Sequence, residues 1–246
     1  MKPYQQIPIA DCGDRLVPIS ADAVAFVDPH PYVQLGAPYG DKSPYFLRQG
    51  VLDRLLKAQT ELQQVHPGWK MQIFDAYRPI AVQQFMVNHA YDELLQEKGW
   101  GDRSLSSEQQ QTLLQEVYQF WAPPSDNPDT PPPHSTGAAL DVTLMDEQGQ
   151  PVEMGSPIDE LSIRSYPDYF APLSPLRPDS DQTPEIECDR AHTHRQLLLQ
   201  VMSTAGFQRH PNEWWHFSYG DQYWAWLMGE REQTNLKAVY GAIESC

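Results

Sequence analysis

The chain has 246 residues, and its 33 acidic and 17 basic residues give it a formal net charge of -16. This length fits one large domain or two small ones, and one compact domain is the starting expectation. The strong negative charge repels polyanions, which excludes nucleic acid and anionic membrane surfaces as expected partners. Because 40% of the residues are hydrophobic and 11% aromatic, the chain has enough apolar material to form a core.

Two further features concern the location of the protein. No apolar run approaches the roughly 18 residues that cross a bilayer, and the first ten residues contain proline and glutamine where a signal peptide needs an apolar core. We therefore expect a chain that starts near Met1 and is cytoplasmic. The three cysteines are far apart and lack CxxC spacing, which predicts reduced thiols instead of a disulfide framework or a cysteine-based zinc site.

The first predicted elements lie between residues 51 and 121. Apolar residues recur at helical spacing from Val51 to Val65, and Pro67 and Gly68 end that pattern. A short strand over 71–74 leads into a turn that contains Arg78. A second helix follows from Pro79 to about Glu97, and a third begins at Ser106 or Ser107 in a capping-box pattern and reaches about Trp121.

The second half alternates loops with regular elements. The loop 122–133 is proline-rich and reads as an extended surface connection. A strand over 138–145 follows, with Asp141 on the face opposite its Leu and Val side chains. The long loop 148–189 packs over the body. Then come a helix over 190–205 with Gly206 as its left-handed cap, a strand over 214–219 and a terminal helical region.

Two dense local patterns contain the candidate chemistry: His134-Ser-Thr-Gly137-Ala-Ala-Leu-Asp141 and Glu213-Trp-Trp-His216. A catalytic zinc takes three protein ligands and leaves a fourth position for water, and histidine and aspartate are natural ligands for it. His134 and Asp141 are seven residues apart, which would place them on opposite faces of a straight strand. The chain must therefore bend between them, and Gly137 permits the bend. If His216 is a ligand, Glu213 must come from the turn that precedes it.

The whole set of motifs resembles the zinc-dependent D-alanyl-D-alanine dipeptidases of the vancomycin-resistance type. The resemblance runs, in order, through Asp75-Ala-Tyr-Arg78-Pro79, His134 to Leu144, Met154 to Asp159, and Gly206-Phe207 with Glu213 to Phe217. It implies an α+β fold: a compact single domain spanning 1–246, with a small, largely antiparallel sheet flanked by helices, as in the wider Hedgehog and D,D-peptidase group. It also implies hydrolysis of a small D,D-dipeptide to D-alanine.

The resemblance assigns a role to each site residue. It implies that one zinc ion per chain is bound by His134, Asp141 and His216. Glu213 would be the catalytic base and Arg78 would stabilise the transition state. Asp159 and Tyr32 would hold the ammonium group of the substrate. Two positions depart from the family pattern, since Pro132 replaces a common serine and Ile158 replaces a common aromatic residue.

Other interpretations of the same residues remain open. Arg78 is also compatible with a surface arginine, Asp159 with a turn cap and Tyr32 with packing. His30, His66, His89 and His210 show no partner pattern and are interpreted as structural or exposed. The competing functions are a zinc D,D-carboxypeptidase acting on longer peptidoglycan stem peptides and a non-catalytic zinc-binding module. The sequence does not determine an oligomeric state.

Overall fold

A five-stranded sheet forms the centre of the molecule. The computed structural model describes residues 2–101 and 104–243. The strands are β1 (Leu16–Pro18), β2 (Ala25–Phe26), β3 (Phe46–Arg48), β4 (Lys70–Asp75), β5 (Ala139–Met145), β6 (Gln208–Arg209) and β7 (His216–Ser218). The α-helices are α1 (Pro31–Gln34), α2 (Gln49–Val65), α3 (Ile80–Glu97), α4 (Ser107–Val117), α5 (Glu185–Thr204) and α6 (Gln222–Glu232). Short 3₁₀ helices lie at Pro3–Gln6, Pro133–Thr136 and Ile163–Ser165.

The strand order in the central sheet is β2-β4-β5-β7-β6. The β2–β4 pair is parallel and the other three pairs are antiparallel, while β1 and β3 form a separate antiparallel ribbon. The prediction of an α+β fold with a small, largely antiparallel sheet flanked by helices is confirmed.

Helix α2 shows why the sequence pattern predicted the core correctly. Its residues Val51, Leu55, Ala58 and Leu62 recur at three- and four-residue spacing and are fully buried. They belong to the same apolar cluster as Met71 and Ile73 of β4, Leu140, Val142 and Leu144 of β5, and Phe217 of β7. One face of the sheet is thereby fixed against α2 and α5, so the chemical side chains of β5 and β7 lie on the other face.

The observed ends of two helices differ from the predicted ones. Helix α5 begins at Glu185, five residues before the predicted start, so the last five residues of the predicted loop 148–189 are helical. Glu185 and Glu187 lie in its first turn, where negative charge is favourable at a helix N-terminus. Helix α4 has the predicted capping box at Ser106 but ends at Val117, before the predicted Trp121.

The strands and helix before residue 49 were not predicted, because they are only two to four residues long. In the described part of the chain, no helix combines the length and the apolar character that a membrane span requires.

Candidate metal centre and active site

Three neighbouring strands bring acidic and histidine side chains to one face of the sheet. Asp75 at the end of β4 is the register partner of Asp141 on β5, and Asp141 is the partner of His216 on β7. Residues directly opposite each other in antiparallel strands have their Cβ atoms about 5 Å apart on the same face. The sheet register therefore places these three side chains in a row, and all three are buried.

His134 joins this row from the chain segment before β5. It lies in the 3₁₀ helix Pro133–Thr136, which ends at Gly137 with a left-handed φ of 70°. A Cβ atom at Gly137 would lie 2.6 Å from Cδ1 of Leu16, so both the backbone angle and the close approach require glycine. The bend expected between His134 and Asp141 is confirmed, and it turns the His134 ring back toward the sheet.

The three predicted ligands form a small triangle. Nε2 of His134 lies 3.1 Å from Nδ1 of His216, Nδ1 of His216 lies 3.1 Å from Oδ1 of Asp141, and Oδ2 of Asp141 lies 3.3 Å from Nε2 of His134. Ligand atoms about 2.0–2.1 Å from a tetrahedral metal ion are about 3.3 Å apart. The donor set has the types and the spacing that a tetrahedral divalent ion requires.

The partners of the two imidazole rings support this fit. Nδ1 of His134 is 2.7 Å from the carbonyl oxygen of Ala76, so it donates a proton there and leaves the lone pair of Nε2 facing the triangle. Nε2 of His216 lies 3.4 Å from the hydroxyl of Ser218, which in turn donates to Asp221 at 2.8 Å. With these tautomers, two nitrogen lone pairs and a carboxylate converge, and a cation between them relieves their repulsion.

Glu213 stands beside the triangle without belonging to it. It lies in the turn before β7, as expected, and its Oε2 is 3.9 Å from Nδ1 of His216. Its buried neighbours Trp214 and Trp215 hold the turn: Trp214 binds the carbonyl oxygen of Ser165, and Trp215 accepts from Val142 of β5. Burial raises the pKa of Glu213 well above its ordinary value, and the Asp141 carboxylate is the second cause of this increase. A carboxyl group with a raised pKa is suited to accept and return a proton near neutral pH.

Arg78 lies next to the Asp141 corner of the triangle and is held by the buried carboxylate of Asp75. Its Nε donates to Asp75 at 2.9 Å, its Nη1 donates to Gln83 at 2.9 Å, and its Nη2 lies 3.2 Å from Asp141. Burial alone would lower the pKa of Arg78, but the charges of Tyr32, Asp75 and Asp141 raise it. The guanidinium is therefore a permanent positive charge next to the predicted ligands.

Asp159 and Tyr32 are coupled to each other. The Tyr32 hydroxyl donates to Oδ2 of Asp159 at 2.6 Å and lies 3.4 Å from Nη2 of Arg78. Asp159 has a left-handed φ of 68°, which is uncommon for a residue other than glycine. Desolvation raises the pKa of Asp159 to about 7, and the charge of Asp141 is the second cause of this increase. A cation bound at this carboxylate would offset that burial cost.

The loop that carries Asp159 is fixed by a buried arginine of α5. Arg195 is 1% exposed and donates to the carbonyl oxygens of Met154, Arg164 and Tyr166 and to the hydroxyl of Ser156. Its guanidinium also lies 4.8 Å from the centre of the Phe170 ring. The loop therefore has a fixed conformation although it contains little regular secondary structure.

Six of the seven predicted site residues line one cavity: Arg78, His134, Asp141, Asp159, Glu213 and His216. Tyr32 lies behind Asp159 and lines a neighbouring groove instead. The cavity also contains residues that the sequence did not single out, among them Lys2, Tyr4, Trp121, His210 and Tyr223.

Two interpretations need revision. His210 was interpreted as structural or exposed, but it lines the cavity with Nδ1 3.5 Å from Oε1 of Glu213. Asp75 was part of a recognised motif and yet was given no role, although it binds Arg78, His30 and Tyr39. Its place at the end of a strand, three residues before Arg78, was the available clue, whereas His210 offered none in the sequence.

Two histidines and one aspartate around a common point, with a separate glutamate beside them, form an arrangement typical of a metallopeptidase. The comparisons with known proteins agree. The sequence model of the D-ala-D-ala dipeptidase family matches residues 26–234. A D-alanyl-D-alanine dipeptidase of Synechocystis is 51% identical over 245 residues, which are 99% of this chain and 98% of that protein. The chain belongs to the D-ala-D-ala dipeptidase family and is an enzyme.

Shorter similarities were also found. A D-alanyl-D-alanine dipeptidase of Escherichia coli is 36% identical over 34% of this chain and 36% of that protein. One of Enterococcus faecium is 31% identical over 36% of this chain and 37% of that protein. Among solved structures, the LdcB LD-carboxypeptidase covers 92% of this chain and 77% of its own, with 14% identity and a TM-score of 0.44.

Proposed function

We propose that this protein hydrolyses the dipeptide D-alanyl-D-alanine to two molecules of D-alanine, with one zinc ion held by His134, Asp141 and His216. The observation that carries the proposal is the ligand triangle with Glu213 outside it, because that arrangement leaves an acid free for proton transfer. The full-length similarity to the Synechocystis dipeptidase supports the choice of substrate.

When bound by His134, Asp141 and His216, zinc would supply a Lewis acid and would lower the pKa of water toward neutral pH. The side chain of Glu213 then accepts the proton of the attacking water and passes it to the leaving amine. Its Oε2, the carboxylate oxygen nearer to His216, is the atom placed for this transfer.

Arg78 stabilises the negative charge that develops on the carbonyl oxygen. Four of its five N–H donors bind Asp75, Gln83, Tyr32 and Asp141, which fixes the plane of the guanidinium and leaves one donor for the substrate. Because the group is buried and held in place, it does not have to reorganise as the charge forms.

Asp159 selects a free dipeptide. Its carboxylate lines the cavity and is oriented by the hydroxyl of Tyr32, so it is placed to accept the ammonium group of the substrate. A longer stem peptide has an amide in place of that ammonium and would leave a partly buried carboxylate without a cation, which is costly. This favours a dipeptidase over a D,D-carboxypeptidase.

The test is the release of D-alanine by the purified full-length protein, with and without added zinc, from D-alanyl-D-alanine and from a stem pentapeptide. We expect zinc-dependent turnover of the dipeptide and little turnover of the pentapeptide. Preference for the pentapeptide would establish the carboxypeptidase, and turnover of neither peptide by the zinc-loaded protein would favour a non-catalytic zinc-binding module.

A further inference from the structure

The zwitterionic dipeptide needs a partner at each end, and the site as described above supplies only one. Asp159 meets the ammonium group, but the carboxylate of the second D-alanine needs a positive charge inside the same cavity. A carboxylate that enters a buried site without a charged or hydrogen-bonded partner loses several kcal/mol of hydration. The residue that compensates for this loss must be a lining side chain with free donors.

Among the described residues that line the cavity, the basic side chains other than histidine are Arg78 and Lys2. Arg78 has four of its five donors bound within the protein, and the remaining one, on Nη1, is assigned to the reacting carbonyl in the proposed reaction. Of the lining histidines, His134 and His216 belong to the ligand triangle, and Nδ1 of His210 accepts a hydrogen bond from the backbone N–H of Asn212 at 3.2 Å, so that nitrogen carries no proton. Lys2 is the remaining cation.

Both the backbone and the side chain of Lys2 form hydrogen bonds. Its backbone N–H donates to the side chain of Gln5 at 2.8 Å as the cap of the 3₁₀ helix Pro3–Gln6. Its Nζ donates to the carbonyl oxygen of Tyr118 at 2.9 Å, just after the end of α4. The segment itself is anchored on α6, where the Tyr4 ring packs edge-on against Tyr223 at 5.0 Å between centroids. This anchoring places the ammonium of Lys2 in the wall of the cavity.

The ammonium group of Lys2 has hydrogen-bond donors left for a ligand. An ammonium group has three donors, and one of them is bound to Tyr118. Among the carboxylates whose side chains the structure describes, none forms an ion pair with Nζ. Burial lowers the pKa of Lys2, and the more distant charge of Glu213 only partly offsets this effect. A partly buried cation without an anionic partner gains from an anionic ligand.

We infer that Lys2 binds the carboxylate of the substrate, so that the N-terminal segment completes the specificity of the active site. This inference rests on the proposed function and goes beyond it, because it assigns the leaving half of the dipeptide to a residue outside the motifs that the sequence analysis singled out. Lys2 lines the same cavity as Asp159 and Glu213. Asp159 and Lys2 then hold the two ends of one zwitterion.

The experiment compares D-alanyl-D-alanine with its C-terminal amide, D-alanyl-D-alaninamide, as substrates of the zinc-loaded full-length enzyme and of Lys2→Met. We expect Lys2→Met to raise KM for the dipeptide by about tenfold to a hundredfold, the usual range for a lost hydrogen bond to a charged group. Its kcat should change by less than about threefold, because the carboxylate is bound equally in the ground and transition states. Turnover of the amide should be nearly unchanged.

Two further variants make the result specific. Lys2→Arg keeps the positive charge and should restore most of the preference for the free carboxylate. Lys57→Met removes an exposed lysine of α2, far along the chain from the cavity-lining residues, and should leave both substrates unaffected. If Lys2 acted only by tuning the proton affinity of Glu213, the dipeptide and the amide would lose activity equally, and the inference would be rejected.

The outcomes separate this inference from the proposed function. If the wild type hydrolyses the dipeptide and Lys2→Met keeps the wild-type preference for the dipeptide over its C-terminal amide, the role of Lys2 is overturned. The proposed dipeptidase activity then still stands. Failure of the zinc-loaded wild type to hydrolyse the dipeptide would overturn both.

Discussion

The two halves of the site are built in different ways. The half that serves the chemistry is carried by the central sheet, where Asp75, Asp141 and His216 are register partners on three adjacent strands. The half that we propose to recognise the substrate is carried by irregular segments, with Asp159 on the loop after β5 and Lys2 before the first strand. Sheet register fixes positions through many backbone hydrogen bonds, whereas each loop residue depends on a few side-chain contacts.

This difference predicts which property of the enzyme each substitution should change. Changes on the sheet or in the turns next to its strands, where Arg78 and Glu213 lie, should abolish the metal or the chemistry, while changes around Asp159 and Lys2 should alter the affinity for particular ends of the substrate. The variants below test that division, from the largest expected effect to the smallest.

His216→Ala should have the largest effect, because it removes one of three ligands and leaves a two-ligand site. We expect dialysed protein to lose its zinc and D-alanine release to fall to the uncatalysed level. Zinc content measured by atomic emission, together with turnover, checks this outcome. His89→Ala on α3 is the control, and retention of one zinc per chain by His216→Ala would show that His216 is not a ligand.

Glu213→Gln should separate the metal from the chemistry. The amide nearly keeps the shape of the side chain but cannot accept a proton, so kcat should fall by about 10² to 10⁴ while one zinc remains bound. The same two measurements apply. Parallel loss of zinc and activity would mean that Glu213 is itself a ligand.

Arg78→Ala should lower kcat by roughly a hundredfold or more with zinc still bound, because a fixed donor to the developing oxyanion is lost. The substitution also leaves the buried Asp75 without its cation, so its thermal unfolding must be compared with that of the wild type. Arg78→Lys keeps the charge and serves as the second variant. Near-normal kcat in a folded, zinc-loaded Arg78→Ala would exclude the role in catalysis.

Tyr32→Phe should have the smallest effect, mainly on recognition, because Asp75, Gln83 and Asp141 still hold the Arg78 guanidinium. It removes the hydroxyl that donates to Asp159 at 2.6 Å, and we expect KM for the dipeptide to rise by about two- to tenfold with little change in kcat. An N-acetylated dipeptide, which lacks the ammonium, should be unaffected. Tyr91→Phe in the same apolar cluster is the control, and an equal effect on both peptides would indicate a general loss of packing instead.

The sequence-based predictions were accurate where apolar residues recur periodically and less accurate outside such patterns. The apolar spacing of α2 and β5 predicted the core face because burial imposes a period on consecutive residues. The predicted bend at Gly137 could be inferred because a seven-residue separation is incompatible with one strand face. The early start of α5 was missed, because the acidic first turn lies outside the apolar pattern of that helix.

By itself, the sequence determined the periodic core of α2 and β5, since a burial pattern depends on residues that are close along the chain, and it predicted the ligand types and a turn before His216. Only the tertiary structure decided that Asp75 supports Arg78, that His210 and Lys2 line the cavity, and that Tyr32 stands behind Asp159. Those neighbours come from segments up to two hundred residues apart. Their proximity is set by sheet register and by loop anchoring, which leave no period in the sequence.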